Sequence, residues 1–123
     1  MISTGPTAGR GRGVFATRRI ARGQIIEEAP VIVISAAEMK PMLKTSLRDY
    51  YFVWGKKRNQ GALALGLCSL CNHTVHPNAE FVLEPDYLMI RLFALNVIRA
   101  GEEVTINYNH SGSRDPVWFE LLE

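Results

Sequence analysis

The chain has 123 residues, of which 47% are hydrophobic and 21% charged, with a formal net charge of +2. That length fits one domain, residues 1–123, with a modest core, and an ordinary apolar fraction at low net charge excludes intrinsic disorder. Two cysteines three positions apart cannot staple a miniprotein, no apolar run approaches the ~18 residues that cross a bilayer, and the first six residues lack the order of a signal peptide. A soluble, intracellular protein without membrane contact is expected.

The charge is unevenly spread: residues 1–60 carry +7 and residues 61–123 carry −5. A basic half could meet nucleic acid and an acidic half a basic peptide; equally, the halves could simply attract each other within one fold.

Along the chain, Gly9-Arg10-Gly11-Arg12-Gly13 leaves backbone that other groups can approach, and Val14-Phe15 begin a β-prone stretch. After a turn at Ala21-Arg22-Gly23-Gln24 comes the β-branched run from Ile25 to Ile34. Pro30 cannot donate to a ladder, so it predicts an edge, a bulge or a break there. Ser35 and Glu38 have capping-box spacing for a short helix that Pro41 stops or kinks. A polar stretch from Lys44 leads into the aromatic cluster Tyr50 to Trp54, and 55–61 reads as a solvent loop. The small apolar run Ala62 to Cys71 is broken by Gly66. Strands over Ala79–Leu83 and Leu88–Val97 are predicted to pair across Glu84-Pro85-Asp86-Tyr87, and Glu103 to Tyr108 alternates as another strand. Asp115-Pro116 predicts the start of a short terminal helix. Many short strands and little helix define a mainly β domain.

Three features bear on chemistry. Cys68 and Cys71, followed by His73 and His76, have the look of zinc ligands, but four donors within nine residues leave too little chain to wrap a tetrahedral ion. No metal is expected, and both thiols read as small core residues. The glycine-rich start is no P-loop, since the Gly-Lys-Ser/Thr ending is absent, and a dinucleotide fingerprint would need a preceding strand. Asn72-His73-Thr74-Val75-His76-Pro77-Asn78 either satisfies buried backbone at a turn or presents polar groups to a ligand. Tyr108 carries the same two readings: a core phenol, or a reactive one.

Taken together, Gly-x-Gly at 11–13, Asn-His-x-x-x-Pro-Asn at 72–78 and Gly-Glu-Glu-Val-Thr-Ile-Asn-Tyr at 101–108 resemble the SET-domain lysine methyltransferases in order and spacing. The patch Asp49-Tyr50-Tyr51-Phe52 and the run Ala62 to Gly66 look like the compact viral and bacterial SET proteins. The resemblance implies a SET-domain fold, with several small curved sheets, few short helices and a C-terminal pseudo-knot bringing 72–78 beside 101–108. It also implies transfer of a methyl group from S-adenosyl-L-methionine to the side-chain amine of a protein lysine, leaving S-adenosyl-L-homocysteine.

By the same resemblance, backbone around Arg12, Gly13 and Val14 would hold the methionine end of the cofactor. Asn72 and His73 would meet its amine and adenine. Tyr108 would be the catalytic tyrosine, placing the methyl and sulfonium by its oxygen, since a phenol with a pKa near ~10 is protonated at neutral pH. Tyr50 or Tyr51 would line the lysine channel, closed by Trp118 or Phe119, for which packing on the core is the rival reading. No cysteine follows Cys71, so a zinc-binding tail of the kind that completes larger SET enzymes is not expected within residues 1–123. The implied partner is a protein or peptide with an exposed lysine, a histone tail among the candidates. Compact relatives work as homodimers, an arrangement open to this chain as well. Nucleic acid is not expected as a direct ligand. The competing reading is a catalytically weak SET module that binds a protein partner.

Overall fold

A computed structural model of the protein describes residues 1–108; the expected terminal helix, with Trp118 and Phe119, lies outside the described residues. The described residues form two β-sheets and one α-helix.

The first sheet begins with β1 (Ile2–Pro6) and β2 (Arg12–Ala16), paired antiparallel from Ile2↔Ala16 to Pro6↔Arg12. β1 is invisible to a pattern reading because the residues after Ile2 are small or polar and show no apolar alternation. The hairpin tip closes tightly: the Thr7 N–H and hydroxyl both donate to the Gly11 carbonyl, at 2.7 and 2.8 Å. Gly9 and Gly11 stand at φ +92° and +70°, where a side chain would be strained.

β3 (Ile25–Ile34) is a single ten-residue strand, so of the edge, bulge or break expected at Pro30 the break does not occur, and the register irregularity of this strand falls at Ile25/Glu27 instead. At Pro30 the strand changes partners. Residues Ile25 to Pro30 pair with β8 (Met89–Ala94), and Val31 to Ile34 pair with β5 (Gln60–Ala64). Proline sits at the handover, where a missing N–H is least costly. β4 (Tyr51–Trp54) and β7 (Ala79–Glu84) complete the second sheet in the order β4-β5-β3-β8-β7. Between β3 and β4 lies α1 (Ala36–Met42), whose first turn is tied by the Glu38 carboxylate accepting from the Ser35 N–H (3.0 Å) and hydroxyl (2.8 Å). Pro41 falls in its last turn and ends it.

Two strands join distant sequence. β6 (Asn72–His73) runs parallel to β9 (Glu103–Ile106), with Asn72 beside Thr105 and His73 beside Ile106, and β9 also pairs with β2. The first sheet therefore runs β1-β2-β9-β6. Alternation holds β9 in place: Val104 and Ile106 are buried in the core, which leaves Glu103 and Thr105 to face the Asn72 loop. The core between the sheets includes Val14, Ile20, Ala29, Phe52, Phe81, Ile90, Leu92 and Ile98. Ile20 and Ile98 form a bridge linking the two loops that lead into β3 and β9.

Candidate active site

The tip of the first hairpin, the segment before β4, the turn Leu67–Leu70 and the end of β9 enclose a cavity of about 570 Å³. That lies within the ~300–1,000 Å³ of small-molecule sites. Its lining includes Arg10, Gly11 and Arg12 from the hairpin, Asp49 and Tyr50 from the segment before β4, and Asn72 and Tyr108.

Asn72 is held by both amide hydrogens. Its Nδ2 donates to the Glu103 carboxylate at 2.7 Å and to the Arg12 carbonyl at 3.2 Å. The two acceptors fix which way the amide points and leave Oδ1 accepting no hydrogen bond among the described residues. A carbonyl oxygen in that state suits an ammonium donor. Glu103 itself is paired with Arg10, and only 16% of its side chain is exposed.

Gly13 makes this cluster possible. A Cβ there would lie 2.6 Å from Glu103 Oε2, 2.8 Å from Thr7 Cγ2 and 3.0 Å from Asn72 Nδ2. The space freed by this glycine is thus filled by the protein's own carboxylate and amide. Gly11 and Arg12, rather than Gly13 and Val14, border the cavity. The Val14 side chain is fully buried in the core, so only its backbone is available to a ligand.

Tyr108 is locked at both ends. Its phenol donates to the Cys71 carbonyl at 2.7 Å, and its N–H donates to His73 Nδ1 at 3.0 Å. The His73 and Tyr108 rings lie 5.1 Å apart, tilted by 43°. An Nδ1 that accepts carries no proton, so the neutral His73 ring is the tautomer protonated on Nε2. Burial, reinforced by Cys71 and Tyr50, pushes the Tyr108 phenol up to about 12, with Arg10 opposing. It remains protonated at neutral pH and serves as a donor, not a base.

Asn78 ties the loop after β6 to β9 as a strand would: its Nδ2 donates to the Glu103 carbonyl at 2.8 Å and its Oδ1 accepts from the Thr105 N–H at 2.9 Å. The turn before β6 is capped from β3. The Glu27 carboxylate accepts from the Leu67 and Cys68 N–H groups at 2.9 and 2.8 Å. Cys68 and Cys71 are buried, and burial raises both thiols, Cys71 to about 12. No group of three or more metal-ligating side chains occurs among the described residues. Nor is any helix among them long and apolar enough to cross a membrane.

Of the residues singled out by sequence, Arg12, Tyr50, Asn72 and Tyr108 meet at the cavity, and His73 backs Tyr108. Tyr51 is not among the lining residues; it opens β4 and packs over Gly61. Arg10, Asp49 and Glu103 were not singled out. Nothing in the identity of Glu103 reveals that its carboxylate engages an amide 31 positions away.

Comparison with known proteins agrees with this arrangement. Residues 11–109 match the SET domain family model. A histone-lysine N-methyltransferase of Schizosaccharomyces pombe, H3 lysine-37 specific, is 37% identical over 115 residues, covering 93% of this chain and 74% of that protein. An H3 lysine-36 specific enzyme of Saccharomyces cerevisiae is 30% identical over 112 residues, 84% of this chain but 15% of that one. Among solved structures, a Plasmodium falciparum protein taken to be a histone methyltransferase superposes with a TM-score of 0.70 at 29% identity, covering 90% of this chain and 99% of that chain. Polycomb Repressive Complex 2 of Chaetomium thermophilum bound to S-adenosylmethionine has a TM-score of 0.76 at 22% identity, over 98% of this chain and 16% of that chain, and speaks for the fold alone. With the family model spanning most of its length and its amide and phenol meeting at one cavity, the chain belongs to the SET-domain family of S-adenosylmethionine-dependent protein-lysine methyltransferases.

Proposed function

We propose that residues 1–123 act as a single SET catalytic domain on a lysine of a histone H3 tail, with the cofactor seated in the cavity bordered by Arg12, Asn72 and Tyr108. The observation that carries the reading is the convergence of the Asn72 amide and the Tyr108 phenol on that cavity from segments 36 residues apart. The substrate class is supported by the two yeast relatives, both named as histone H3 enzymes.

The residues fit an S-adenosylmethionine group. The unengaged Asn72 Oδ1 can accept from its ammonium, and Gly11 and Arg12 line the same cavity. Bound there, the cofactor supplies an electrophilic methyl on a sulfonium. His73 clamps the Tyr108 backbone and, by the family resemblance, would meet the adenine. Tyr108, protonated, orients the reacting centre through its oxygen. Tyr50 gives the lysine side chain an aromatic wall, and the exposed Asp49 beside it attracts the substrate cation before it loses its proton. Proximity to a sulfonium and removal from water lower the lysine pKa, so the proton leaves to solvent first. Held against the Tyr50 wall, the neutral amine would be aligned in line with the methyl group that the cofactor would supply. Trp118 and Phe119 would close the channel, and β9 passing beside β6 would be part of the pseudo-knot.

The test is methyl transfer from labelled cofactor to recombinant core histones, with the modified residue located by mass spectrometry. Label on an H3 lysine, abolished by Lys→Arg at that position, is expected. Cofactor binding without transfer to any histone would overturn the substrate assignment and leave a binding module.

A further inference from the structure

We propose that Glu103 is a positioning residue of the cofactor site, one that acts through Asn72 without touching the ligand. The proposal rests on the reading above that Asn72 Oδ1 accepts from the cofactor's ammonium. An asparagine amide presents its oxygen or its nitrogen with nearly equal ease, and the wrong face would offer N–H donors to a cation. Something must break that tie. The Arg12 carbonyl engages one amide hydrogen at 3.2 Å, a long bond; the Glu103 carboxylate engages the other at 2.7 Å, and this shorter, charge-assisted contact decides the orientation.

The carboxylate is itself well fixed. β9 is anchored by buried Val104 and Ile106, the Glu103 main-chain carbonyl accepts from Asn78 Nδ2 at 2.8 Å, and Arg10 pairs with the second carboxylate oxygen. Gly13 provides the room, since any Cβ at that position would intrude on both Oε2 and Nδ2. Hairpin glycine, strand carboxylate and loop amide thus form one unit whose output is a single aimed oxygen. Arg10 offsets the carboxylate's charge, so the effect is one of orientation more than of long-range attraction.

The test uses calorimetric titration of S-adenosylhomocysteine and of its analogue lacking the α-amino group, because their affinity ratio reports on the ammonium contact and not on general site integrity. The wild type is expected to prefer the amino form by about tenfold or more, the scale of a hydrogen bond to a charged group. Asn72→Ala should bring the ratio near one. Glu103→Ala, and Glu103→Asp, whose shorter side chain cannot reach Asn72, should do the same, each measured on protein shown folded by circular dichroism. Glu103→Gln keeps an oxygen to accept from Asn72 and should hold most of the preference. A wild-type ratio in either folded short variant, with Asn72→Ala collapsed, would overturn the role of Glu103 alone. An unchanged ratio in Asn72→Ala would remove the ammonium contact itself, and this proposal with it.

Discussion

The Tyr108 phenol donates to the Cys71 main-chain carbonyl at 2.7 Å, which binds the end of β9 to the residue just before β6. That contact fixes the phenol of a residue that lines the cavity. Tyr108→Phe deletes the oxygen and keeps the ring. Turnover is therefore expected to fall about a hundredfold, roughly 2.7 kcal/mol of transition-state stabilisation, while the cofactor dissociation constant moves less than about twofold. Steady-state kinetics with calorimetry reads both, and a variant with wild-type turnover would exclude the hydroxyl from catalysis.

The alkaline behaviour follows from the same burial. An unfolded tyrosine titrates near ~10, whereas Tyr108 in the fold titrates near 12. The folded state thus favours the protonated phenol, and the stability this lends is intact below pH ~10 and lost as pH rises through 12. Turnover should climb with pH as substrate lysine deprotonates, with no descending limb from Tyr108 below pH ~10. In the phenolate absorbance difference between wild type and Tyr108→Phe, one group should titrate near 12. A midpoint near 7 to 8 would make the tyrosine a candidate base.

Much of this was legible beforehand, for identifiable reasons. Asn72, His73 and Tyr108 lie in motifs whose spacing is tied to the fold, and strands such as β8 announce themselves by alternation, with Ile90, Leu92 and Ala94 buried. β1 was not legible, because an edge strand in which Ile2 is followed by Ser, Thr, Gly and Pro shows no alternating apolar pattern and draws its stability from its partner. The continuity of β3 through Pro30 was equally hidden, since a change of partners is a property of two other strands. At Gly13 the structure shows the Glu103 carboxylate and the Asn72 amide in close approach, a packing that no local pattern reveals, since which atoms approach a glycine is decided by tertiary packing.

That packing makes Gly13→Ala informative. The added methyl would sit 2.6 Å from a carboxylate oxygen and 3.0 Å from the Asn72 nitrogen, so the pair must separate. A loss of about 1–3 kcal/mol in folding stability is expected from overpacking, together with weaker cofactor binding. Gly9→Ala, with nothing near its Cβ, is a control that strains only the hairpin tip. Denaturant melts and cofactor titration on both would show whether binding loss is confined to position 13; equal losses would indicate a general hairpin defect.

The Glu27 cap predicts a longer-range effect. Its two carboxylate oxygens satisfy the Leu67 and Cys68 N–H groups, and the turn they start carries Ser69 and Leu70 to the cavity wall and delivers Cys71 and Asn72 to the site. Glu27→Ala strands two partly buried donors, worth about 2–3 kcal/mol together and about 5–10 °C in melting temperature for a domain of this size. Gly66→Ala attacks the same cap from the other side, because its Cβ would lie 2.7 Å from Glu27 Oε1 and 3.0 Å from the Ala29 Cβ. Both variants should weaken cofactor binding, although Glu27 does not line the cavity. The double variant should be less destabilised than the sum of the singles, since either change already opens the cap. Calorimetric melts of the four proteins decide the point: strict additivity would mean that Gly66 and Glu27 act on the turn separately.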